Sequence, residues 1–439
     1  MKYPGPRSQK MIQELSQYVI AEPQDFVIDL KKSRGMWLAT VDGQKIFDWA
    51  GYYGSKLLGH NHPRLFKPAY VKKIAIAAAN KIANPDFLTP ECLEYYRLIH
   101  SLAPQCMRND KLEVYAVNSG AEAIENMMKY FINLFHHHQL KKGRIPTARR
   151  FLYFDRAFHG RTVFALNVTQ MQHDPVATKD FHGLIVGNLQ LEFPALDNDE
   201  PESKNLERVK KSLDQIEDTF KRFANEIIGV IIEPLQGAGG QRLAPVSFYQ
   251  KLSELCHRYE ISLGFDEVQT AGGQTGTFFA IDQFDLPYPP QAVAAAKKLG
   301  NGVVYMLYPM DDEGILDSTW GGSLTDMVRF TEEMKIVREE KLLEQVPEKA
   351  QTLIQGLKKL QTKFPGKIGN IRGMGLYQGF SLKNPSNKSK LIQMALQEED
   401  TLLLGASTDT IRFRPVLDVS TQDIQLLCEK LERCLGQLA

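Results

Sequence analysis

Charge of one sign is what this 439-residue sequence lacks: 53 lysines and arginines face 52 aspartates and glutamates, a net charge of +1. A chain that grips nucleic acid or an anionic membrane by bulk attraction carries a basic surplus, so neither partner is expected. Cysteine is sparse as well. Cys92, Cys106, Cys256, Cys428 and Cys434 form no C-x-x-C pair and no regular framework, the pattern of reduced thiols in a cytoplasmic protein. No apolar run approaches the ~20 residues needed to cross a bilayer, and the opening MKYPGPRSQK has no apolar stretch of the secretory kind. Low-complexity tracts and internal repeats are missing too. With 43% hydrophobic and 24% charged residues, what remains is an ordinary globular composition. The length suits two or three folding units, and the charge balance suits small-molecule chemistry.

Between about residues 112 and 305, short apolar runs alternate with amphipathic ones. LEVYAV (112–117) precedes AEAIENMMKYFINLF, where Ala121, Ile124, Met127, Phe131 and Leu134 form one helical stripe. EIIGVIIEP (226–234), SFYQKLSELCHRYE and ISLGFDE (261–267) read as strand, helix and strand, the unit of a parallel sheet. The stretch 202–224 predicts an exposed charged helix. From about residue 323 the order changes to two long helical patterns (323–345 and 348–363), GNIRGMGLYQGFSL, LLLGAS, TIRFRPVL and a helix from Thr421. The expected fold is α/β. A large domain, residues 61–322, carries a mainly parallel sheet flanked by helices. A smaller α+β domain, residues 323–439, is completed by the N-terminal segment 1–60.

Parallel sheets bind ligands beyond the carboxyl ends of their strands, so each strand end is a candidate. Asn118-Ser119-Gly120-Ala121 leads from a strand into a helix, and free N–H groups there suit a phosphate, although a tight turn explains the same residues. Glu233 and Asp266 each end an apolar strand. A carboxylate in that position is costly unless a cation or ring nitrogen meets it; a loop-anchoring role is the plainer alternative. Lys297 and Lys298 follow a run of small apolar residues, and a desolvated lysine can attack a carbonyl. Chemistry alone does not choose between the two.

Taken together, PGPRS (4–8), NSGAEAIEN, AFHGR (157–161), IIEPLQGAGG, FDEVQT (265–270), AAAKKLGNG, DSTWGG and IRFRP (411–415) occur in the order found in class III aminotransferases, and the sequence resembles that family over nearly its whole length. FDWAGYYGSKLLGHNHP and NPDFLT (84–89) are most similar to its lysine 6-aminotransferase branch, with the 4-aminobutyrate branch next. The resemblance implies fold type I, pyridoxal 5′-phosphate as cofactor, and a homodimer with shared active sites. It implies transfer of the ε-amine of L-lysine to 2-oxoglutarate. The alternatives are 4-aminobutyrate, ornithine or another ω-amine as donor, or a catalytically silent homologue that only binds. Retention of Lys297 and Asp266 argues against the last.

The same resemblance assigns roles. Lys297, the first lysine after the small apolar run, holds the cofactor as a Schiff base and moves the proton once released. Asp266 pairs with the ring nitrogen. Val268 and Phe158 pack on the two ring faces, and Gln269 meets the phenolic oxygen. Gly120 and Ala121 offer N–H groups to the phosphate, and Thr319 reaches the phosphate of a neighbouring subunit. Arg161 binds the α-carboxylate of lysine, and Arg412 a carboxylate of 2-oxoglutarate.

One departure from the family pattern stands out. The usual E-P-x-Q-x-E-G-G has a second glutamate that masks the second arginine, and here Ala238 takes its place. No metal site is expected. His136, His137 and His138 point in different directions at what reads as a helix end, and His60 and His62 read as turn residues.

Overall fold

The computed structural model describes residues 2–19, 24–145, 148–171, 174, 178, 181, 187–223 and 225–438. Its strands are β1 (Trp37–Ala39), β2 (Lys45–Asp48), β3 (Glu113–Val117), β4 (Arg150–Phe154), β5 (Leu189–Leu191), β6 (Ile227–Ile232) and β7 (Ser262–Glu267), followed by β8 (Ala292–Ala295), β9 (Gly302–Met306), β10 (Ile368–Met374), β11 (Tyr377–Leu382), β12 (Thr401–Leu402), β13 (Leu404–Ala406) and β14 (Thr410–Arg412).

Strands β6 and β7 are buried at every position, which is why they read as unbroken apolar runs: helices cover both faces of the sheet they occupy. That sheet has seven strands in the order β3-β9-β8-β7-β6-β4-β5. All pairs from β8 to β5 are parallel, and β9 runs against both of its neighbours. The α/β architecture agrees with the expected fold. The reversal at β9 was not legible, because an apolar run carries no direction.

Helix Gly120–Lys141 lies directly on this sheet. Its approach needs glycine at two strand positions. A Cβ on Gly229 would sit 2.6 Å from Phe131, and one on Gly264 2.7 Å from both Phe131 and Met127. The buried face of the helix includes Ile124, Met127 and Phe131 with Ala123, Met128 and Phe135, whereas Ala121 and Leu134 are half-buried. The helix also runs three residues beyond the histidines. His137 pairs with Asp312 at 2.9 Å, and His138 lies 3.7 Å from Glu260.

The charged segment after residue 201 forms helix Glu202–Phe223, and it is not simply exposed. Asn205, Val209, Ser212, Ile216 and Phe220 recur at helical spacing and bury one face.

The C-terminal part holds a four-stranded antiparallel sheet, β10-β11-β14-β13, with helices Val346–Lys363, Asn387–Glu399 and Thr421–Gln437. A Ser420/Asp423 capping box starts the last helix. The N-terminal hairpin β1–β2 joins it through a parallel pairing of β2 with β12. Tyr3 supports that junction, donating its hydroxyl to Asp400 Oδ1 at 2.6 Å. Helix Leu324–Glu339 packs instead on helices Pro68–Ala79 and Pro90–Ser101.

Candidate active site

The parallel register sets Ile232 beside Phe265, so Glu233, just past the end of β6, comes beside Asp266, the next-to-last residue of β7. One strand further, β8 ends and Lys297 takes a left-handed backbone, φ 51°. Helix Gly120–Lys141 begins at the same edge, N-capped by the Ser119 hydroxyl, which accepts the Glu122 N–H at 3.2 Å. The first N–H groups of a helix have no intrahelical acceptor, so those of Gly120 and Ala121 are available to an anion. One cavity brings together Gly120, Ala121, Phe158, Asp266, Val268, Gln269 and Lys297, with His159, Glu233 and Ala238 also on its wall.

Asp266 is held at both oxygens. Oδ2 lies 2.7 Å from His159 Nδ1, and Oδ1 accepts the Val268 N–H at 2.9 Å. His159 Nε2 is buried with no partner among the described residues. Glu233 accepts the Phe158 N–H at 3.0 Å, yet burial pushes its carboxyl up to about 7, with the Asp266 charge adding to the rise. Burial pulls the Lys297 amine down to about 8, against the attraction of Asp266.

The two adjacent lysines differ in their surroundings. Lys298 Nζ donates to Gln269 O at 2.6 Å, Tyr377 Oη at 2.9 Å and Gly54 O at 3.1 Å. These three contacts tie the Lys298 amine into the protein. Lys297 makes no side-chain hydrogen bond among the described residues, and its carbon stem lines the cavity.

Arg161, Thr319 and Arg412 lie outside that wall, whereas Gln269 is part of it. Arg161 is exposed and pairs with Asp174 at 3.3 Å. Thr319 sits in an exposed loop. Gln269 is engaged within the protein: its Nε2 donates to Tyr53 O at 3.1 Å, and its Oε1 accepts from Arg414 Nη2 at 2.9 Å. Arg412, at the end of β14, is buried, with Nε donating to Gly405 O at 3.3 Å.

Three neighbours of the site were missed in the sequence. His159 touches Asp266, and its only signal was its place beside Phe158. Arg414 is fully buried over the Tyr377 ring, 4.3 Å from its centroid, and donates to Gln241 Oε1 at 2.5 Å. The alternation Arg412-Phe413-Arg414 could have indicated that both arginines leave the strand on one side. Tyr377, third of these, had no motif to mark it. Of the other histidines, His60 pairs with Asp48 at 3.1 Å and His62 lies 3.6 Å from Glu340. Among the described residues no cluster of three metal-ligating side chains occurs, and no helix is long and apolar enough to cross a membrane.

This donor set fits pyridoxal 5′-phosphate. A buried carboxylate can face a ring nitrogen, a lysine of lowered pKa can hold an aldehyde carbon, and a helix start can hold a phosphate. Glycine is required at that helix start, since a Cβ on Gly120 would lie 2.6 Å from Val268.

Comparison with known proteins agrees. Residues 19–435 match the family model described as aminotransferase class-III. An L-lysine-epsilon aminotransferase of Amycolatopsis lactamdurans is 30% identical, covering 98% of this chain and 97% of its own. A 4-aminobutyrate aminotransferase of Schizosaccharomyces pombe is 27% identical, covering 98% and 94%. The solved lysine aminotransferase from M. tuberculosis in the internal aldimine form superposes with a TM-score of 0.92 at 28% identity, over 98% of this chain and all of that one. With its fold, its cavity and its sequence in agreement, the chain belongs to the class III aminotransferases, enzymes dependent on pyridoxal 5′-phosphate.

Proposed function

We propose that this aminotransferase moves the ε-amine of L-lysine to 2-oxoglutarate, giving 2-aminoadipate 6-semialdehyde and L-glutamate. The observation that carries the reading is the cavity itself, where Lys297, Asp266 and a helix start meet. Full-length similarity to lysine ε-aminotransferases favours lysine over other ω-amines as donor.

Bound in the cavity, the cofactor supplies an electron sink for the carbon that carries the amine. Asp266, fixed by His159 and the Val268 N–H, would face the ring nitrogen and hold a proton there. Lys297 would take the proton from substrate Cε and return it to the cofactor's C4′ carbon, work suited to an amine whose pKa is about 8. Val268 and Phe158 flank the ring, Gln269 meets its phenolic oxygen, and Gly120 and Ala121 hold the phosphate. Arg161 exchanges its exposed Asp174 pair for the α-carboxylate of lysine, and Arg412 receives 2-oxoglutarate.

Thr319 serves the site of a second copy in a homodimer. Exposed Phe87, Leu88 and Trp320 support such an interface, because the 84–89 and 318–322 loops meet through Asn84 Nδ2, which donates to Trp320 O at 2.8 Å. The large domain is taken as 61–322, and the small one as 323–439 with the segment 1–60.

A donor panel of lysine, ornithine, 4-aminobutyrate and simple diamines with 2-oxoglutarate tests the reading. Glutamate formed fastest from lysine supports it. A preference for 4-aminobutyrate or ornithine replaces the donor and keeps the reaction class.

A further inference from the structure

Arg412 at the end of β14 and Arg414 two residues beyond it are buried cations whose protein partners are all neutral. Arg412 is 5% exposed and Arg414 1%. Among the described residues, Arg412 donates only to Gly405 O, and its Nη1 is buried with no acceptor. Arg414 donates to Phe413 O, Gln241 Oε1 and Gln269 Oε1. Burial pulls the two guanidiniums down to about 10 and about 9. The acid whose field reaches both is Glu233, itself pushed up to about 7 and so only partly ionised near neutrality. A buried cation in this position is destabilising unless an anion meets it.

The loop beside the pair adds no charge of its own. A Cβ on Gly237 would lie 1.9 Å from Gln269 Oε1 and 3.0 Å from Arg414 Nη2, so the loop backbone runs against Arg414 and its amide partner. Ala238 O accepts the Ser407 N–H at 3.2 Å, which ties this loop to the β13–β14 turn just before Arg412. The Ala238 methyl faces the cavity that Lys297 and Asp266 line, and it brings no charge.

We propose that Arg412 takes a small, exchangeable inorganic anion of chloride size as its counter-ion, in place of a carboxylate at position 238, and that a keto-acid carboxylate displaces it. This rests on the reading of Arg412 as the carboxylate receptor. While an ω-amine occupies the site, the donor brings no negative group to Arg412, and the anion stays. When the dicarboxylic keto acid enters, the anion leaves. Chloride therefore promotes the first half-reaction and competes with the second.

Chlorine NMR line width measured on the holoenzyme reads the site without any donor. Broadening by the wild type, reversed by the unreactive dicarboxylate glutarate and abolished in both Ala238→Glu and Arg412→Gln, is the expected result. Equal broadening in all three proteins, or broadening that glutarate leaves unchanged, overturns it. Should Ala238→Glu fail to fold, Arg412→Gln and the glutarate displacement decide. Stopped-flow half-reactions at constant ionic strength add the functional arm. Chloride in place of a bulky organic anion should speed amine transfer from lysine several-fold and raise the apparent KM for 2-oxoglutarate, and neither change should occur in Ala238→Glu. If lysine is not a donor but the broadening behaves as expected, the donor reading falls and the anion site stands.

Discussion

Lys297 and Lys298 are adjacent in sequence and opposite in circumstance. Lys298 Nζ is tied to Gln269 O, Gly54 O and Tyr377 Oη, whereas Lys297, on a left-handed backbone, lines the cavity. Lys297→Ala should abolish the yellow absorbance of the purified enzyme and lower turnover by roughly 10²–10⁴-fold, the usual worth of a positioned acid–base group. Absorbance lost in Lys298→Ala but kept in Lys297→Ala would reverse the assignment.

A second residue-scale expectation concerns pH. The Glu233 carboxyl ordinarily titrates at 4.5 and is pushed to about 7 in the fold. A raised pKa means that the folded state binds the proton more tightly than the unfolded chain. The resulting stability is full below the ordinary value and is lost as pH climbs through the folded one. Melting temperature should therefore fall over that interval in the wild type and stay flatter in Glu233→Gln; parallel pH profiles would remove the buried-acid account. In sequence, Glu233, Asp266 and the lysine doublet were visible as charges ending apolar runs. The partner of Asp266 was not, because His159 lies far from it along the chain and only the sheet brings them together.

At the scale of elements, the contact between helix Gly120–Lys141 and the sheet depends on absent side chains. Gly264→Ala places a methyl group against Phe131 and Met127, and forcing it into a packed core should cost about 1–3 kcal/mol in denaturant unfolding. Trimming Phe131 to leucine in the same chain should recover part of that loss; an additive double variant would show that the two positions do not meet. Strands β3, β6 and β7 and the helices that follow β3 and β6 were legible as apolar runs alternating with amphipathic ones. The buried face of helix Glu202–Phe223 was masked by its many charged residues, although Val209, Ile216 and Phe220 keep helical spacing. The direction of β9 had no signal at all, since pairing against β3 and β8 is a property of the turn that returns the chain, not of GVVYM.

For the whole molecule, near-neutral net charge means that anionic ligands must be held by placed groups, and buried Arg412 and Arg414, at and just past the end of β14, are two such groups. Exposed Phe87 and Leu88 predict assembly. Replacing both with aspartate should shift the sedimentation coefficient toward the monomer and weaken cofactor retention together. A variant that stays dimeric would place the interface elsewhere. A single lobe built from both chain ends remains an expectation, drawn from the change of pattern near residue 323. The strand pairing that joins them, β2 with β12, was beyond reach, because a two-residue strand leaves no periodicity to read.

That pairing also bears on how the molecule is made. On the ribosome, the hairpin Trp37–Asp48 emerges early and must wait for Thr401 and Leu402, while every strand of the seven-stranded sheet has already left the exit tunnel. Closing so long a loop is slow in entropic terms, so the last barrier in folding should be the docking of the two chain ends onto a preformed large sheet. Refolding should therefore recover the large-sheet amides first in hydrogen exchange and those of Phe47 and Trp49 last. Until then the hairpin is an open strand edge in search of a partner.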